Sequence, residues 1–167
     1  MKRIIALMSV LVFAAVAAKA IESTSDQGQA KAEIVAAATL THDEDAILDF
    51  GKIVRDTDGG TVTIPVTEDG KGTQTTSGIN VVDSNQYEAD HFLLENLDTS
   101  LTYTIGGDTT VILTGPGTPM TVTLSKAPST TITGVESKDI YVGGILQVGA
   151  NQTAGVYTGS YTLTVTY

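Results

Sequence analysis

Acid–base, nucleophilic or metal chemistry in this chain would have to be built from two imidazoles, scattered carboxylates and hydroxyls, because it has no cysteine. Neither His42 nor His91 stands in a recognisable catalytic spacing with a serine or a metal ligand. His91 follows Asp90 in a stretch that reads as a strand, where neighbours point to opposite faces, so the two cannot cooperate directly. An exposed strand histidine is the simpler reading. The acidic run His42-Asp43-Glu44-Asp45 and the loop holding Asp56, Asp58 and Gly59 offer oxygen ligands of the kind calcium takes. Neither completes a calcium-binding loop, and turn chemistry accounts for both. Gly143-Gly144 is followed by no helix, so it marks a bulge or a close strand approach and not a phosphate cradle. Asn151-Gln152-Thr153 fits a glycosylation sequon but reads first as a turn before the last strand. With no Trp, and with Tyr mostly on core-facing positions, no aromatic platform for a sugar is evident. No nucleophile, base and oxyanion set can be named, so the expectation is a non-enzyme with no cofactor and no metal site.

The elements that must carry these residues begin after a leader. Lys2 and Arg3 precede an apolar run over residues 4–18, and Ala18-Lys19-Ala20 supplies the small-x-small pattern of a signal peptidase site. Residues 1–20 therefore read as a signal peptide. The run is too short, and too soon broken by Lys19, to span a bilayer of about 20 residues' helix length. No later stretch is apolar enough to insert in a membrane. Removing Lys2, Arg3 and Lys19 takes the formal charge from −10 to −13. Such a balance argues against nucleic acid and anionic membrane surfaces, which reward Lys and Arg, and favours solubility. An exported chain without cysteine must find its stability in packing and strand pairing.

After the leader the pattern is one of many short strands. The chain from residue 49 to 54 ends at the turn Asp56-Thr57-Asp58-Gly59-Gly60, and the next strand, Thr61-Val62-Thr63-Ile64, is limited by Pro65, which suggests a sheet edge. A Gly-, Thr- and Ser-rich loop covers residues 68–77. Leu101, Tyr103 and Ile105 alternate with threonines, and Gly106-Gly107-Asp108 leads into Thr109-Thr110-Val111-Ile112-Leu113, a hairpin candidate. Met120, Val122 and Leu124, then Ile140 and Val142, then Leu146 and Val148, continue the alternation. Tyr161, Leu163, Val165 and Tyr167 form one face of the last strand, and the chain stops on an aromatic residue in mid-pattern. About eight strands in one domain predict an all-β sandwich with Greek-key connections.

Three groups of residues extend this reading. They are Leu48-Asp49-Phe50-Gly51; Ala89, Phe92 and Leu94 before Tyr103-Thr104-Ile105; and a closing motif from Val142-Gly143-Gly144-Ile145-Leu146-Gln147-Val148 through Gln152, Gly155, Tyr157, Gly159, Tyr161, Leu163, Val165 and Tyr167. In that order they resemble the DUF4402 family of exported bacterial proteins, which is similar to archaic chaperone-usher pilins and spore-coat-U-type domains. The resemblance spans nearly all of the chain after the leader. It implies an immunoglobulin-like sandwich over residues 34–167 that lacks a strand, supplied first by a periplasmic chaperone beside an outer-membrane usher and then by the next subunit. The separation of Gly155 from Tyr167 resembles that of a strand-start glycine and a near-terminal tyrosine in pilins, although here the tyrosine is the last residue.

A donor segment should be extended and apolar at alternate positions, and Ala30, Ala32, Ile34, Ala36, Ala38 and Leu40 meet both conditions. Residues 21–33 thus form an N-terminal extension. The other reading makes the stretch from Ile34 to Leu40 the domain's own first strand, with only residues 21–32 free. The expected function is a structural subunit that self-associates into a surface fibre or coat by strand complementation. Its alternative is a monomeric secreted adhesin or carbohydrate-binding module working through loops such as residues 68–77.

Overall fold

The computed structural model describes residues 24–82 and 87–167, so the leader read at residues 1–20 lies outside the described residues. The chain divides into two units, Met1–Glu33 and Ile34–Tyr167. In the first, residues 24–33 are exposed and belong to no strand. The second is all-β, and the described residues contain no helix. Its strands are β1 (Thr39–His42), β2 (Ile53–Val54), β3 (Gly60–Ile64), β4 (Thr75–Ser77), β5 (Asn80–Val81), β6 (Asp90–Glu95), β7 (Thr102–Gly107), β8 (Thr110–Leu113), β9 (Met120–Ala127), β10 (Thr131–Thr133), β11 (Lys138–Val148) and β12 (Leu163–Thr166).

β11 organises the larger sheet. One of its sides pairs with β9 over residues 141–147, and the other pairs first with β6 and then with β3. The handover falls at Gly143, where a Cβ would lie 2.4 Å from the Ile64 carbonyl oxygen, while one on Gly144 would lie 2.6 Å from that of Thr123. Only glycine lets the three backbones approach this closely, as the pair's composition suggested. The sheet is completed by β1 on β6, β4 on β3 and β8 on β9, all antiparallel. A three-stranded sheet, β10-β7-β12, packs against it, and β2-β5 forms a small ribbon. Neighbours distant in sequence, such as β3 beside β11, give the Greek-key connectivity expected of a sandwich.

Two expectations are corrected. Pro65 does not mark an edge, because β3 lies between β11 and β4, and the proline ends the strand instead. β7 and β8 do not form a hairpin: β7 pairs with β10 and β12, whereas β8 pairs with β9. Gly107 adopts a positive φ of 97°. Asp108 then continues the β7–β12 ladder, its N–H donating to the Thr162 carbonyl at 2.8 Å and its carboxylate accepting the Thr162 N–H at 2.8 Å. The next residue already belongs to the other sheet, where the Thr109 carbonyl accepts the Leu124 N–H at 2.8 Å. The alternation that suggested a hairpin is the same for two strands in different sheets.

The core has two parts. Leu94, Ile140 and Val142 of the larger sheet pack against Tyr103, Ile105, Ile132 and Leu163 of the smaller. The other part, Val62, Ile64, Val111, Met120, Val122, Leu146 and Val148, is met by Phe50 and Ile79 from loops, by Ile53 of the short β2-β5 ribbon and by half-buried Tyr157 and Tyr161.

Candidate functional site

Where the smaller sheet stops short, a cleft of about 1160 Å³ opens above β8, β9 and β11. Val111, Met120, Val122, Leu146 and Val148 form its floor, residues 47–53 one wall and residues 152–161 the other. Period-two alternation puts these floor side chains on one face, so the cleft is apolar by the same pattern that builds the core.

Asp90, only 5% exposed, closes one end. Its Oδ1 lies 2.7 Å from His42 Nε2 and accepts the His91 N–H at 2.8 Å, and its Oδ2 accepts the Tyr161 hydroxyl. Burial, then the hydrogen bond to Asp90 and its charge, push the Tyr161 hydroxyl well above its ordinary value, so it stays a donor. This cluster ties the end of β1 and the residues before β12 to the start of β6. Sequence reading placed His42 in an acidic turn and missed its partner. The signal was Asp90 itself, a carboxylate at an inward position of an apolar strand, which must find donors.

The C-terminal residues behave unequally. Leu163 is buried, Tyr161 and Val165 are half-buried, and Thr162, Thr164 and Thr166 are exposed, so the expected face exists. Tyr167 lies beyond β12 and is 62% exposed, its ring 5.2 Å from that of Tyr103, so the terminal aromatic is not a core residue. Gly155 does not start the strand. It has φ 149°, a Cβ there would lie 2.5 Å from Pro116 Cγ, and residues 155–158 line the cleft, with the Tyr157 hydroxyl donating to the Thr153 carbonyl at 2.8 Å and Thr158 bridging Thr114. β12 itself pairs with β7 alone, leaving its other edge open among the described residues.

Of the donor candidates, Ala30, Ala32, Ile34 and Ala36 are exposed and outside any strand, with Ile34 at 97%. Ala38 and Leu40 instead pack on the core, and pairing with β6 begins at Thr39. The domain's own first strand is thus shorter than the stretch from Ile34 to Leu40. Both edge strands border one core cluster, since Val165 packs on it too. The acidic turns are satisfied locally: Asp43 accepts the Asp45 N–H at 3.2 Å and Asp56 the Asp58 N–H at 2.9 Å. Among the described residues no three of His, Cys, Asp or Glu are arranged to hold a metal ion. Among the described residues there is no helix long and apolar enough to cross a membrane. Asn151 sits in a turn at φ 52°, its N–H donating to the Asp56 carbonyl at 2.9 Å.

Fold and site together define an all-β sandwich with one half of its core roofed by loops. A family model for a domain of unknown function, DUF4402, matches residues 38–167, and the chain belongs to that family. Neither a curated protein nor a solved structure matches it.

Proposed function

We propose that this chain is a structural subunit of a bacterial surface fibre or coat, assembled when an extended segment of one copy completes the sandwich of another. The apolar cleft carries the reading: a floor of five aliphatic and thioether side chains under loops is the surface a strand with alternating apolar residues covers. Two features agree with it. Among the described residues the edge of β12 offers unpaired backbone groups, and Ala30, Ala32, Ile34 and Ala36 present exposed apolar side chains at alternate positions outside any strand. A periplasmic chaperone would hold the same edge before assembly, with an outer-membrane usher passing the subunit to the surface.

Size-exclusion chromatography with negative-stain microscopy tests this on the full chain and on a chain lacking residues 24–36, which spares Ala38 and Leu40. Polymers that disappear on deletion are the expected result. Stable monomers in both cases overturn the assembly reading and turn attention to a monomeric binding module.

A further inference from the structure

The chain's two histidines both sit on the pairing of β1 with β6, in a reciprocal arrangement. His42-Asp43 runs antiparallel to Asp90-His91: His42 meets Asp90 on the inner face, and His91 Nδ1 lies 3.2 Å from Asp43 Oδ2 on the outer one. The two pairs differ in what they require of a proton. His42 contacts one carboxylate, which a neutral ring with one N–H can satisfy. His91 contacts two, because its Nε2 also lies 3.0 Å from Asp139 Oδ1 on β11. Only the imidazolium donates to both; the neutral ring leaves one carboxylate facing a nitrogen lone pair.

We infer that His91 is a pH-dependent clasp on the edge strand β1, linking Asp43 to β11 through one protonated ring and releasing it when that proton leaves. The groups around the ring are Asp43 from the end of β1, Asp139 and Tyr141 from β11, with the Tyr141 ring stacked at 4.8 Å, and Asp69 beyond Tyr141. Asp90, next in its own strand, points to the opposite face. Among the described residues no Lys or Arg forms an ion pair with Asp43 or Asp139. Partial burial acts to lower the His91 pKa, but the hydrogen bonds to Asp139 and Asp43 outweigh it, so the folded value is raised above 6.5. The clasp is therefore complete below that value and is lost as pH rises through the folded midpoint. β1 is the strand that yields, since it has one partner over four residues while β11 is held on both sides. Its loosening extends the free segment beyond Ala38, a consequence that rests on the strand-complementation reading.

The test is NMR on the full chain, following the His91 ring through a pH titration and the protection of the Asp43 amide, which donates to the His91 carbonyl. Protection is normalised for intrinsic exchange and compared at about pH 5.5 and about pH 8.5. D43N and D139N should each lower the His91 midpoint. In the wild type, Asp43 protection should fall between the two pH values by up to about tenfold per unit of midpoint lowered in D43N. H91Q should show equal protection at both, and β9–β11 amides should not change. A midpoint unmoved by either substitution, or Asp43 protection equal at both pH values in the wild type, overturns the clasp. Loosening without polymers removes the assembly reading and leaves the clasp; polymers without loosening do the reverse.

Discussion

Ile34→Asp separates assembly from folding. Ile34 is 97% exposed and outside any strand, so nothing in the isolated domain depends on it, and the change should move unfolding free energy by no more than about 0.5 kcal/mol. In a joint between copies it would be the largest apolar side chain of the donor segment. Burying an isoleucine contributes about 2–3 kcal/mol, against about 0.8 kcal/mol for each methyl of Ala30, Ala32 and Ala36. Without the isoleucine's contribution the joint weakens by about 30- to 150-fold, and an unpaired carboxylate in the cleft adds its own desolvation cost. The measurement is thermal unfolding of monomer beside negative-stain counts of polymer at matched concentration. Undiminished polymer in Ile34→Asp would refute the donor assignment, and a clear drop in melting temperature would show that Ile34 serves the fold.

Three other outcomes follow from the geometry. Leu146→Ala empties a site 1% exposed at the floor of the cleft and should cost about 2–5 kcal/mol in urea unfolding. Tyr161→Phe withdraws a donor from buried Asp90 and should cost about 1–3 kcal/mol. It also carries a pH signature: the unfolded phenol ionises above about pH 10 while the folded one stays protonated, so wild-type stability falls there and the Phe variant loses that part of the slope. Gly107→Ala should destabilise by at least about 1 kcal/mol, since it strains a φ of 97° and sets a Cβ 2.1 Å from the Thr162 carbonyl oxygen; chemical denaturation measures this directly.

Period-two alternation was sufficient to assign an all-β class and most inward positions, because which face a side chain occupies is a local property of an extended backbone. Met120, Val122, Ile140, Val142, Leu146 and Val148 are all buried as their spacing required, and Gly143-Gly144 marks a close approach as its composition required. Strand partners are not local, and the same pattern served equally for a hairpin that does not exist between β7 and β8. The edge assigned from Pro65 failed for a related reason: a missing N–H ends a ladder, but whether another strand lies alongside depends on segments far away in the chain.

What the sequence determined alone was the all-β class, most inward positions and the alternate apolar spacing of Ala30, Ala32, Ile34 and Ala36. The tertiary structure decided that the smaller sheet covers only part of the core, so the floor under Phe50, Tyr157 and Tyr161 remains a cleft. It also decided that residues 48 apart meet as His42 with Asp90 and Asp43 with His91. Charge pairing acts over a few ångströms, and only the antiparallel register of β1 on β6 brings those four side chains within that range.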